Sequence, residues 1–437
     1  MAGLFDNLPR GAQAELFVRR VRKASVRFAN SQFEGTQESV HEVHTLRLIR
    51  DGRMSIASTT KPGSDEELLA VALETVKYGN PVRHDMPGPR TFPEIALVSQ
   101  DTRGTDLRTM IDVSDDLASA LLAHDRRIRV MSGVEREEIE VSLSNSNGFA
   151  GSYGKTVWDA GLGGQLIQGD DMLFHGESQA RVDPGVDYGM LKREVIEIFE
   201  QAKNVVSFPA GTYPVIFAPS QVSFLMWPLL ACLNGKAFAR GISPLKEQMG
   251  RQLLDQRVTI VDDGTLPWTV SSAPFDREGV ATRRNVLVDA GVPRNLLLDL
   301  QTAQELGMEP TGNGTAGGPA VHRVLLAPGD APLTGLIAGI DRGLIIHGSM
   351  GAWAGNPYGG NVSGTISLGL SIEGGKIAGR VKNCMFSVNV FRHLRERLLA
   401  LSAETKEMSG GGSGQGGATL PYVLLGDVVI SSDVKQG

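Results

Sequence analysis

Cysteine is scarce in this chain. Its 437 residues hold two, Cys232 and Cys384, too few for a disulfide framework and suited to a reducing compartment. Long apolar runs are missing as well. No segment approaches the roughly 18 uninterrupted apolar residues of a spanning helix, so no membrane partner is expected. The opening residues MAGLFDNLPRGAQAELFVRRV lack the charged start, apolar core and small-residue cleavage site of a secretory signal. Nor is there a basic arm or a Lys/Arg stripe: the formal net charge is -6 and the pI about 5.8, which argues against nucleic acid as a partner. These absences together predict a soluble, cytoplasmic protein.

Glycine is abundant instead. There are 53 glycines, spread along the chain without a repeat, which points to tight turns and hairpins. Hydrophobic residues make up 41% and charged residues 21%, an ordinary globular balance. At about 100–200 residues per domain, the length predicts two or three domains.

Residues 11–22, with Leu16, Phe17 and Val21, read as a helical stripe. Residues 43–57 read as a hairpin around Asp51-Gly52. A helix is expected over 65–78, with Ser64 as N-cap, Glu67 completing a capping box, and Gly79 at its end. Its buried face would be Leu68, Leu69, Ala72, Leu73 and Val76. The Pro-rich stretch 80–98 marks a boundary. Beyond it, a helix at 115–125 precedes alternating strands through Val130, Val134, Ile139, Val141 and Leu143, then turn residues at 144–148. Residues 187–203 form another amphipathic helix through Leu191, Val195, Ile198, Phe199 and Ala202.

From about 207 the texture changes to short strands and Gly-rich turns. Two helices interrupt it, one near 388–402 and one over 220–239 that is apolar around most of its circumference and hence buried, with Pro228 bending or interrupting it. Segregated helices and strands favour an α+β fold. The expected organisation is an N-terminal mixed α/β region in two units, 1–98 and 99–206, followed by a β-rich C-terminal domain, 207–437.

Four segments of the C-terminal half occur in a recognisable order: PVIFAP (214–219), VDDGTLP (261–267), APFDREGVATRRNVLVDAGV (273–292) and the loop Thr311-Gly312-Asn313-Gly314. Upstream, SLSNSNGFAGSYGKT (142–156) fits the same pattern. Together they resemble the TldD/PmbA metallopeptidase family. Catalytic members of that family carry H-E-x-x-x-H on the helix after the PVIFAP-like strand and a cysteine in a Gly-rich C-terminal loop. Imidazoles on one helix face can share a Zn²⁺ while the glutamate serves as base on the metal-bound water.

This chain departs from that motif. Aligned on the downstream L-x-G step, Met226 and Ala231 stand at the histidine positions and Trp227 at the glutamate. Residues 214–245 contain no histidine, and the loop 409–418 contains no cysteine. The resemblance therefore implies a PmbA-like (TldE-like) subunit with no metal and no catalytic residues of its own. Zinc is expected in a TldD-like catalytic partner that cleaves peptides or unfolded segments, the two chains forming a heterodimer. A stand-alone homodimeric binding or scaffold protein is the alternative, and an independent hydrolase with a site foreign to the family is a third.

Several residues carry two readings. Thr311, Gly312, Asn313, Gly314 and His322 form either a cleft offering N–H groups to an anion or peptide, or a plain turn. His347 lines a cleft or is structural. Asp262, Asp263, Asp276 and Glu278 are acid–base candidates or turn and strand-end acids. His41 and His44, three apart beside a strand, face opposite sides and read as surface residues. Cys232 and Cys384 read as buried thiols rather than nucleophiles. The 409–418 run reads as a loop within the C-terminal domain, followed by strands in LPYVLLGDVVISS.

Overall fold

The structure, a computed structural model, describes residues 4–6, 8–169, 171–409 and 416–432. Its N-terminal part comprises β1 (Gln13–Ala29), β2 (Gln32–Arg50), β3 (Arg53–Thr59), α1 (Asp65–Thr75), β4 (Asn80–Pro81), α2 (Gln100–Gly104), α3 (Leu107–His124), β5 (Arg129–Asn145), β6 (Ala150–Gln168), β7 (Asp171–Arg181) and α4 (Tyr188–Gln201). The strands make one antiparallel seven-stranded sheet in the order β4-β3-β2-β1-β5-β6-β7. Because β1 pairs with both β2 and β5, this sheet joins the strands on either side of the Pro-rich stretch.

The segment 11–22 is strand rather than helix. Leu16 packs with Leu46, Leu48 and helix α1 on one face, while Glu15 on the other is buried beneath C-terminal residues. A strand buried on both faces loses its clean alternation, and three apolar residues then mimic a helical stripe. The hairpin at Asp51-Gly52 forms as expected, with positive φ at both residues (51° and 68°). Helix α1 starts after Ser64, but the Ser64 hydroxyl donates to the Lys61 carbonyl at 2.7 Å, so no capping box forms.

The C-terminal part comprises β8 (Val205–Val206), β9 (Gly211–Phe217), α5 (Pro219–Cys232), α6 (Gly235–Ala239), β10 (Ile260–Asp263), β11 (Arg284–Asp289), β12 (Val292–Pro293), α7 (Leu300–Leu306), β13 (Gly314–Thr315), β14 (Gly318–Pro319), β15 (Arg323–Leu326), α8 (Leu333–Ala338), β16 (Arg342–Met350), β17 (Asn361–Glu373), β18 (Lys376–Val381), β19 (Cys384–Asn389), α9 (Val390–Glu396), β20 (Leu398–Met408) and β21 (Gly417–Ser432). Among the described residues, twelve of these strands form one mixed sheet, with β21 hydrogen-bonded to β15, β9, β19 and β20. The fold is α+β, and its C-terminal domain is β-rich.

Two helix expectations change here. The 220–239 stretch is two helices, and the break falls at Leu233-Asn234, not at Pro228. Pro228 lacks only one backbone donor, and Leu233 N–H still reaches the Leu229 carbonyl at 2.9 Å. Asn234 then caps α6 through the Lys236 N–H at 3.0 Å. Near 388–402 only Val390–Glu396 is helical; the chain continues as β20, paired with β21. Residues 410–415 of the Gly-rich loop lie outside the described residues, and the tail beyond it forms β21 as expected.

Helices α3 and α4 lie between the two sheets. Leu117, Leu121, Leu191, Val195 and Phe199 share a core with Ile216, Ile345, Leu368, Leu370 and Leu424. The opposite face of the large sheet packs on α5 through Val222, Leu225, Met226 and Leu229.

A second contact between the two parts is polar and aromatic. Arg47 donates from Nε to Glu15 Oε1 (2.8 Å), from Nη2 to Glu15 Oε2 (2.9 Å) and from Nη1 to Glu278 (3.2 Å). Arg277 reaches Glu15 at 3.2 Å, its guanidinium 3.7 Å from the centre of the Phe17 ring. Beside them Phe275 sits among Phe92, Phe149 and Tyr153, with ring centres 5.0–5.7 Å away. Lys155 Nζ donates to the carbonyls of Val270 (2.8 Å) and Ser272. Residues 270–278 are thus clasped onto the seven-stranded sheet. Arg47→Met would leave Glu15 and Glu278 buried without their shared cation; the expected loss is about 3–5 kcal/mol, measurable by urea unfolding.

Candidate functional site

The PVIFAP segment forms the end of β9 and the start of α5. Val215, Ile216 and Phe217 are fully buried between β16 and β21, which explains the continuous apolar run. Pro219 occupies the first turn of α5, where its missing N–H costs nothing. That turn is tied to β16: the Ser220 hydroxyl and the Gln221 side-chain amide both donate to the His347 carbonyl at 3.2 Å, and the Ser349 hydroxyl donates to Gln221 Oε1 at 2.6 Å.

At this junction lies a pocket of about 180 Å³. Its walls are Gly176–Ser178 of β7, Ala218–Ser220, His347, the 406–409 end of β20, and Tyr422. Lys406 Nζ bridges Glu177 (2.6 Å) and Glu194 (2.8 Å). His175 is buried behind the pocket. Its Nε2 makes no hydrogen bond among the described residues and lies 3.6 Å from Glu177.

Burial, reinforced by the Lys406 charge, pushes the His175 imidazole down to about 4. His347 is pushed down by burial, then by His175 and Lys406. Tyr422 is pushed up by burial and the surrounding carboxylates. Both imidazoles are therefore neutral at physiological pH. They can exchange hydrogen bonds with a polar ligand, but neither is tuned near 7 for proton transfer.

The inferred zinc-ligand positions do not converge here. Met226 is 1% exposed and points into the core beneath α5, while Trp227 and Ala231 are half-buried. A thioether, an indole and a methyl group do not make a zinc donor set. Among the described residues, no three His, Cys, Asp or Glu side chains are grouped to hold a metal ion. Cys232 is buried, and burial pushes its thiol up to about 12, as befits a structural thiol.

The 311–314 loop with His322 is not an open cleft. Thr311, Gly312, Asn313 and Gly314 are buried, and their polar groups serve neighbouring residues. Asn313 Nδ2 donates to Asp262 Oδ2 at 2.6 Å, and Gly314 N–H donates to Asp276 Oδ2 at 2.7 Å. His322 Nε2 bonds the Gly312 carbonyl at 2.6 Å. Asp262 also accepts the His322 and Arg323 N–H groups (2.7 and 2.9 Å). Asp263 accepts from Thr265, and Asp276 accepts the Glu278 and Val280 N–H groups. Glu278 accepts from Leu300 N–H at 2.7 Å. Buried carboxylates organise this loop from within. Burial and the neighbouring Glu278 raise Asp276 to about 7.

His44 is not a surface residue either. It is buried, with Nδ1 2.6 Å from Asp65 and Nε2 2.9 Å from Glu42. Burial opposes its charge, but the bonds to Glu42 and Asp65 prevail and raise its pKa. His41, on the other face of β2, is exposed.

The sequence flagged His347 but missed His175, Glu177, Lys406 and Tyr422. These come from strands far apart in the chain, and no local spacing links them.

An N-terminal antiparallel sheet laid over a helical layer and a large mixed sheet defines the architectural class. Residues 210–432 match the family description "PmbA/TldA metallopeptidase C-terminal domain", and residues 14–77 match "PmbA/TldA metallopeptidase domain 1". The chain belongs to the PmbA/TldD metallopeptidase family. An uncharacterized protein of Methanocaldococcus jannaschii is 24% identical over 89% of this chain and 91% of its own length. Metalloprotease PmbA of Escherichia coli O157:H7 is 28% identical over 77% of this chain and 76% of its own. The crystal structure of TldE from Thermococcus kodakarensis superposes with a TM-score of 0.88 at 22% identity, covering 96% of this chain and 97% of that one.

His175 yields a pH prediction. Its folded pKa lies below the unfolded value of 6.5, so the unfolded chain binds the extra proton and stability is lost as pH falls from about 6.5 towards 4. His175→Gln should flatten that part of the stability–pH curve, measured by thermal unfolding across the range.

Proposed function

We propose that this chain is the non-catalytic subunit of a TldD-type zinc metallopeptidase acting on peptides or unfolded protein segments in the cytoplasm. The observation that carries the reading is α5. The helix that follows the PVIFAP strand holds Met226, Trp227 and Ala231 where the catalytic motif has its ligands and base, and 214–245 has no histidine. Likeness to the protein named TldE and to PmbA supports the assignment. The zinc belongs to a TldD-like partner chain, and the pair forms a heterodimer. This chain completes the partner's fold, its enclosed chamber or its choice of substrate.

The test is metal content and peptidase activity of the purified chain, alone and mixed with a TldD-like relative from the same source. The expected result is no stoichiometric zinc and no cleavage alone, with cleavage and a mixed complex on combination. Chelator-sensitive cleavage by this chain alone would overturn the reading. Self-association without any effect on the relative's activity would favour the homodimeric scaffold.

A further inference from the structure

The seven-stranded sheet has a second open surface that the proposed partnership leaves unexplained. Beyond the region clasped by residues 270–278, the outer face of β1, β2, β5, β6 and β7 forms a trough of about 930 Å³. That volume lies within the range of ligand-binding clefts.

Its shape comes from glycine. Gly133 faces Gly161 across β5 and β6, and Gly163 faces Gly176 across β6 and β7. Glycine inside a strand weakens the sheet and removes packing, and it recurs where a ligand approaches the backbone closely. A Cβ on Gly163 would come to 3.0 Å from the Gly176 Cα, so a side chain there would crowd the neighbouring strand. Met131 and the exposed Phe174 supply apolar walls.

The charge on the trough is unbalanced. Glu135 stands directly opposite Asp159 in the β5–β6 ladder, with Glu137 two residues along on the same face. Like charges facing one another across strands destabilise a sheet. Lys23 pairs with Glu135 and lies 3.9 Å from Glu137, which Arg19 also attracts from farther along β1. Of the other charged residues lining the trough, Arg27 is matched with Glu34 and Glu177 with Lys406. Asp159 has no ion pair among the described residues, and burial beside Glu135 and Glu137 raises it to about 6. At the edge strand β7 the trough shares Gly176, Glu177 and Ser178 with the pocket at the start of α5.

We propose that this trough binds an extended peptide segment by seating one of its lysine or arginine side chains beside Glu135 and Asp159. A cation there offsets Asp159 as Lys23 offsets the facing Glu135, and the glycine floor lets the peptide backbone lie close to the sheet. The proposal deepens the subunit reading by naming a substrate class, and it rests on that reading for calling the peptide a substrate.

The test uses the full chain and a fluorescein-labelled, unstructured Gly/Ser peptide carrying lysines, compared with the same peptide carrying glutamates. Fluorescence anisotropy at low salt is expected to show the lysine peptide bound at least about tenfold more tightly. Glu135→Gln combined with Asp159→Asn removes that preference. Ser25→Trp, which fills the trough and leaves the carboxylates in place, abolishes binding; circular dichroism checks that each variant is folded. Equal binding of the two peptides, or lysine-peptide binding unchanged in both variants, overturns the proposal. Dimerisation of the free chain that Ser25→Trp abolishes also overturns it, because the trough would then hold a second copy. Charge-dependent binding that persists when mixing with the TldD-like relative yields no cleavage would remove the subunit reading and leave the trough assignment standing.

Discussion

Glu15 is fully buried, and it is tolerable only because Arg47 and Arg277 both reach it. An unpaired carboxylate in that position would cost several kcal/mol. The two cations come from opposite ends of the problem: Arg47 lies on the strand next to Glu15, while Arg277 arrives from more than 200 residues downstream. Arg47 also holds Glu278, so neither part of the molecule can move without stranding a charge. Placement of the seven-stranded sheet on the C-terminal domain, and with it the trough and the pocket, depends on this cluster and the aromatic group around Phe275.

The APFDREG segment takes its meaning from this clasp. Phe275 fills the aromatic cluster, Asp276 gathers the N–H groups of the following turn and of Gly314, Arg277 meets Glu15, and Glu278 meets Arg47 and Leu300. Nearly every residue of the motif is spent on structure. The same holds for VDDGTLP, whose Asp262 pins the strand at His322–Arg323. These family segments, which on paper invite acid–base roles, are the framework that holds two domains together.

The surfaces left for ligands lie elsewhere and share one strand. β7 contributes Gly176, Glu177 and Ser178 to both hollows. Its His175 faces inward, neutral, with Nε2 making no hydrogen bond among the described residues. A single edge strand therefore lines both hollows.

Much of the outline was legible in the sequence. The Asp51-Gly52 turn, helix α4, the burial of α5 and the segregation of helices from strands follow from local chemistry, because turn residues and apolar periodicity act over a few positions. The family segments declared themselves in the same way, through short runs of fixed residues, and so did the missing histidines of α5. Tertiary structure alone decided the rest. Residues 11–22 became strand because both faces found cover, which no local period records. The 311–314 loop closed around Asp262 and Asp276, and His44 was drawn inside by Asp65. Glu135, Asp159, His175 and Lys406 acquired significance only when strand register set them side by side. Register is fixed by long-range pairing and burial rather than by neighbours in the chain, and for that reason the sequence by itself was silent about them.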